Sequence, residues 1–244
     1  LIAAILAFVP VMGVDYLLDS YVRVRERVQL GDSLAAITER IQTGADDAID
    51  SLAKILAASP SLCTPTFLAN ARMQMEESLY LKQVAVENAD GVQYCDAFGS
   101  GIKFTPLSAD LAIPGHTETM AVGMLGDLQA PVLKISDSVG STRIVSAFVP
   151  IVSTNAAGLL SRFRPTAMVR ISLTNGTPVL VAGDPGPFDK HGDTEFISGE
   201  DFAGELPIRA EAAVPFAMAR ADYADLDMSF TIIACIMSGA FLML

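Results

Sequence analysis

The sequence predicts an α+β domain held between two membrane spans, and three observations predict it. An uncharged apolar run opens the chain, LIAAILAFVPVMGV, and another closes it, MSFTIIACIMSGAFLML. Behind the first run comes a long stretch with helical periodicity. After residue 80 the pattern changes to short alternating segments separated by turns, which is the order of helices followed by an antiparallel sheet.

Each apolar run is slightly short of the roughly 20 residues that a bilayer needs. The expectation is that both are spans cut at the ends of the sequence, residues 1–18 and 227–244, with residues 19–226 forming the domain between them. The alternatives are a signal peptide for the first and a buried core helix for the second. Arg23, Arg25 and Arg27 follow the first run, where the positive-inside rule would count them as cytoplasmic. Against that stand Asp222, Asp225 and Asp227 before the second run, a net charge of −12, and the freedom of long translocated loops from the charge rule. The reading therefore places the domain outside the cytoplasm, with the lipid bilayer as a partner. So acidic a chain, without tryptophan, lacks the basic footprint and the stacking platform that nucleic-acid binding requires.

Leu30, Leu34, Ile37, Ile41, Ala45, Ala48, Leu52 and Ile55 recur at steps of three and four, one stripe on a helix from about residue 21 to 57. That stripe is either packed on its own domain or the seam of a homodimer, although Gly31 and Gly44 weaken a continuous coiled coil. Ser59-Pro60 ends the helix. Thr64-Pro65 then carries the signature of an N-cap followed by proline in the first turn, opening a second, shorter helix, PTFLANARMQMEESLY. LKQVAVEN and VQYCDAF flank Ala89-Asp90-Gly91 as a hairpin. Further strands are expected at ETMAVGM, PVLKIS, TRIVSAFVPIV, PTAMVRISL, TPVLVAG and IRAEAAVPFAMARAD, with Asn175-Gly176 as another hairpin turn. No long helix is expected between Tyr80 and the second apolar run.

Three cysteines are present. Cys63 stands at the threshold of the second helix and Cys95 on the second strand of the hairpin. They are a disulfide, two unrelated buried thiols, or metal ligands. A metal is disfavoured because there is no CxxC and the only histidines are His116 and His191. An extracytoplasmic position favours the disulfide. Cys235 lies inside the second apolar run, where a thiol behaves as a small hydrophobe.

The stretch GDPGPFDKHGDTEF gathers His191 with Asp184, Asp189, Asp193 and Glu195, but without the spacing of a calcium loop or zinc motif it reads as a solvated turn. His116 reads likewise. No P-loop, GxGxxG, GxSxG or HExxH occurs, so this segment is expected to hold no catalytic residue and no cofactor.

In order and spacing the chain resembles the CSS-motif sensor domain of bacterial inner-membrane proteins. The matching stretches are the apolar start, the long helix, LAASPSLCTPTFLANARM, YLKQVAVENADGVQYCDAFG and the apolar close. That resemblance implies a multi-pass inner-membrane protein with a periplasmic sensor and an EAL cyclic-di-GMP phosphodiesterase domain following in the cytoplasm. It further implies a redox disulfide between Cys63 and Cys95, closed by the periplasmic thiol-oxidising machinery, that keeps the phosphodiesterase quiet until it is reduced. The sequence departs from the motif at one point: Cys95-Asp96-Ala97 stands where the family has Cys-Ser-Ser, and Asp96 would disfavour a nearby thiolate. A rival expectation is a small-molecule sensor, similar in layout to the PAS and Cache-like extracytoplasmic domains of receptors, with a purely structural disulfide and a pocket on its sheet.

Overall fold

A computed structural model describes residues 2–99, 101, 103–126, 130–151, 163, 167–183, 188 and 195–243, with the side chains of 2–12, 130, 237 and 241–243 excepted. Helix α1 runs unbroken over Ile2–Ala58. At 1.5 Å per residue it is about 85 Å long. Its predicted stripe is buried from Leu30 to Ile55, each residue under 5% exposed.

Helix α2, Pro65–Glu77, starts as the sequence requires. The hydroxyl of Thr64 accepts the amide of Phe67 at 3.2 Å, and Pro65 occupies the first turn, where it sacrifices no helical hydrogen bond. Ser78 closes the helix, donating to Asp47 of α1 while accepting the amides of Tyr80 and Leu81, so that α2 leaves the long helix at a fixed angle.

The strands form two sheets rather than the single one expected. The larger comprises β1 (Gln83–Glu87), β2 (Gln93–Asp96), β3 (Phe104–Pro106), β4 (Leu111–Ala112), β5 (Thr119–Leu125), β6 (Ala130–Val139) and β7 (Arg143–Pro150), all antiparallel, in the order β2-β1-β7-β6-β5-β3 with β4 also on β5. The smaller comprises β8 (Met168–Leu173), β9 (Pro178–Ala182), β10 (Phe196–Phe202) and β11 (Ile208–Pro215), in the order β10-β11-β8-β9. Both rest on α1, and one continuous hydrophobic core runs beneath them.

Their places along α1 follow from close contacts. Gly199 of β10 lies against Leu30 and Leu34, and Thr38 donates to Asp201 at 2.5 Å, so the smaller sheet covers the nearer part. Further along, a Cβ on Gly44 would come within 2.9 Å of Val149 on β7 and 3.4 Å of Tyr80. That glycine weakens helix propensity, yet it lets the larger sheet approach the backbone.

The expected strand IRAEAAVPFAMARAD stops at Pro215. The chain turns into a short helix α3, Phe216–Ala221, whose sequence of helix formers has no further strand partner, and then into α4, Ala224–Met243. Helix α4 runs back antiparallel along the start of α1: Tyr223 meets Tyr21 edge-on at 6.0 Å, and Leu226 and Phe230 share an apolar groove with Val14, Leu17 and Leu18. The two apolar runs thus lie side by side. Among the described residues no helix is long and apolar enough to cross a membrane. Of the expected spans, Leu1, Leu244 and the side chains of 2–12, 237 and 241–243 lie outside the described residues.

An arginine joins these helices to the domain. Arg220 on α3 bonds Asp15 and, at 3.0 Å, Asp19 of α1, with Asp227 of α4 at 3.7 Å. The hydrogen bond to Asp15 pushes its guanidinium above the ordinary range despite some burial, with Asp19 and Asp227 acting in the same sense, so the cation persists at every accessible pH. Because the group is partly exposed, Arg220→Ala is expected to lower the unfolding free energy by only about 1 kcal/mol. A urea titration at low and high salt checks this, since the loss should shrink as salt screens the wild-type contacts.

Candidate functional site

Cys63 and Cys95 are joined in a disulfide, with their Cα atoms 5.8 Å apart. Cys63 lies in the tight connection between α1 and α2 and has φ 59°, the left-handed region. A residue with a Cβ is held there only by its surroundings, at a cost of roughly 1–3 kcal/mol. Cys95 lies on β2, the outer strand of the larger sheet, opposite Val86 of β1. The bond therefore ties the far end of the long helix to a strand that, among the described residues, pairs on one side alone.

Neighbouring contacts brace the same joint. Asn70 of α2 donates to the Ser59 hydroxyl at the end of α1, at 2.6 Å, and Arg72 of α2 donates through Nε to the carbonyl of Ala97 at 2.5 Å. Both sulfur-bearing residues are half-buried against the core. Helix, connection and strand meet at this one point.

Asp96 is the residue that sequence reasoning undervalued. It is 3% exposed, and its carboxylate accepts the amides of Phe98, Gly99 and Gly101 at 2.9, 2.7 and 2.9 Å, together with the side-chain amides of Gln93 at 2.7 Å and Gln83 at 3.4 Å. Its place is in the turn that ends β2, as the acceptor that organises the backbone there. The signal was present in Asp96-Ala-Phe-Gly99 and Gly101, since an aspartate followed by glycines is the composition of a side-chain-closed turn.

A second feature lies on the face of the larger sheet turned away from α1. Glu87 of β1 pairs with Lys134 of β6, each side chain only 12% exposed. Ser146 donates to Glu87 at 2.8 Å and shares a 3.0 Å hydrogen bond with Ser136. Above them is a concavity of about 450 Å³, walled by Ala85, Phe104 and Phe148 and rimmed by Asp90 and Asp110. Gly123 makes room for its wall, because a Cβ there would come within 2.4 Å of the Phe104 ring. Among the described residues, none fills this part of the sheet face. The rival expectation put a pocket on the sheet, but none of its residues stood out in the sequence, since the short strands β3 and β4 that border it carry no recognisable pattern.

Of the remaining candidates, His116 is exposed and sits 3.8 Å from Glu118 in a loop. His191, with Asp184, Asp189 and Asp193, lies outside the described residues. Cys235 is a free, exposed thiol on α4. Among the described residues no group of His, Cys, Asp and Glu could hold a metal ion.

No protein-family model matches the chain, and no curated protein matches it. Solved structures do resemble it. The extracellular domain of rpHK1S-Z16, named as a histidine kinase, is 11% identical with a TM-score of 0.48, over 79% of this chain and 95% of that one. The ligand-binding domain of the Campylobacter jejuni chemoreceptor Tlp3, in complex with L-norvaline, is 10% identical with a TM-score of 0.46, over 83% and 94%. The ligand-binding domain of Mlp24 with asparagine is 12% identical with a TM-score of 0.42, over 82% and 99%. At these identities and scores the likeness is remote and assigns no ligand to this chain.

Proposed function

We propose that the chain is the periplasmic sensing segment of a bacterial inner-membrane protein, that Cys63 and Cys95 form its redox switch, and that it controls an EAL domain hydrolysing cyclic-di-GMP in the cytoplasm. The observation that carries this reading is the position of the disulfide. It sits at one end of a helix whose other end holds the first apolar run, beside the second. Reduction takes two electrons and two protons from a dithiol donor, which itself becomes a disulfide, and leaves two thiols at residues 63 and 95. The periplasmic thiol-oxidising machinery reverses the step. Without the bond, the Cys63 backbone is free to leave its left-handed conformation and the edge strand β2 is released from α1. Any shift of α1 against α4 is then delivered to the membrane.

The test uses the full-length protein in cells. Maleimide trapping in a Cys235→Ser background reads the Cys63 and Cys95 thiols with thiol oxidation intact and disabled, and cyclic-di-GMP is measured alongside. Cys63→Ser/Cys95→Ser should lower cyclic-di-GMP as much as disabling oxidation does. Unchanged cyclic-di-GMP in the double variant would sink the proposal.

One observation favours a second reading, a small-molecule sensor with a permanent disulfide: the open concavity above Glu87 and Lys134 has a size typical of ligand pockets. Thiols that stay protected when oxidation is disabled would support that reading over the first.

A further inference from the structure

The stripe from Leu30 to Ile55 is buried in the chain's own core, so no second copy can pack on it. We infer that the chain dimerises instead through another face of α1, formed by Leu17, Tyr21, Val24, Val28, Gly31 and Ala35. These positions step by four, three, four, three and four, the spacing of a coiled-coil seam. Leu17, Tyr21, Val24 and Val28 are 66%, 49%, 59% and 56% exposed, a level at which so regular a row of large apolar side chains calls for a partner. Leu17 and Tyr21 also border α4, beside Leu226, Phe230 and Tyr223, yet keep this exposure, whereas Leu18 and Val22, turned further toward α4 and the domain, are already buried.

Lipid is the wrong cover for the upper part of this row. Val24 and Val28 stand among Arg23, Arg25 and Arg27, which a hydrocarbon layer would have to desolvate. A second copy of the same helix suits it better. With Tyr21, Val28 and Ala35 at one set of core positions and Leu17, Val24 and Gly31 at the other, Arg27 flanks the seam on one side and Asp32 on the other. In a parallel pair these are the positions that meet across the interface, so Arg27 faces Asp32 of the partner subunit, twice by symmetry. Gly31, where an added Cβ would meet nothing within 4 Å, and Ala35 allow the two backbones to approach at the upper end. The parallel orientation rests on the two-span reading above, which puts both copies in one membrane facing the same way.

Cysteine cross-linking of the full-length protein in membranes tests this, with Cys235→Ser as background. Val24→Cys, Val28→Cys and Ala35→Cys should each give a disulfide-linked dimer under mild oxidation, whereas Gln29→Cys, exposed but off the row, should not. Arg27→Asp should lower the yield at Val28→Cys by about fivefold, and adding Asp32→Arg should restore it. Equal cross-linking at Gln29, linkage at one position alone, or none would overturn the parallel seam. Labelling of Gln29→Cys by a membrane-impermeant maleimide reads the topology separately, so a failed seam is distinguished from a failed two-span arrangement.

Discussion

Replacing Cys63 and Cys95 together by serine is expected to cost the domain about 3.7 kcal/mol, the chain-entropy value for a loop of about 33 residues. The sequence separation of 32 sets that figure. Relaxation of Cys63 from its left-handed backbone, at φ 59°, works in the opposite sense, since the variant sheds a strain of roughly 1–3 kcal/mol that the closed bond retains. The measured loss should therefore fall between about 1 and 3 kcal/mol. Urea titrations of oxidised wild type, reduced wild type and the double variant check it, and the last two should share a midpoint. An oxidised protein no more stable than the variant would show that the bond does not restrain the fold. The magnitude also bears on function. A domain stable by about 5–15 kcal/mol survives such a loss, so reduction loosens the joint without unfolding the whole. If the full value acts on a two-state joint, it changes the ratio of the states about 500-fold, enough to carry one state from rare to dominant.

What was legible in the sequence was what depends on neighbours along the chain. The ends of α1 and α2 follow from Ser59-Pro60 and Thr64-Pro65, and the β1–β2 hairpin from an apolar alternation around Asp90-Gly91; all three formed as local chemistry dictates. The stripe on α1 was equally plain, but a stripe states only that something covers it. Two sheets do so, and the smaller was hard to see because its edge strand β10, FISGEDF, mixes glycine and acidic residues with its apolar ones. Those residues make sense only in three dimensions: Gly199 admits Leu34, and Asp201 accepts from Thr38. The same limit applied at the site. Cys63 and Cys95 stood out by residue type, whereas Asp96 first looked like a perturbation of a thiol, and Glu87 and Lys134, 47 positions apart, had nothing local to connect them.

Asp96→Ala is expected to be at least as damaging as loss of the disulfide, at about 3 kcal/mol. Alanine leaves the amides of Phe98, Gly99 and Gly101 and two side-chain amides without their shared acceptor. An orphaned buried donor costs roughly 1–3 kcal/mol, and water reaching the exposed part of the turn offsets some of the sum. Asp96→Asn keeps one acceptor oxygen and loses the charge-assisted bonds, so about half that loss is expected, and urea titration ranks the three proteins. The more telling readout is the disulfide. Asp96 adjoins Cys95, so a frayed turn leaves the Cys95 thiol less well placed to find Cys63, and the bond should be reduced at a less reducing potential in Asp96→Ala than in wild type. Because coupling between two features of one fold is reciprocal, the disulfide must also stabilise Asp96→Ala by less than it stabilises wild type. An unchanged potential together with a 3 kcal/mol loss would show that Asp96 holds the turn alone. A shifted potential would show that the residue standing where the resembled motif has serine sets how readily the Cys63–Cys95 bond opens.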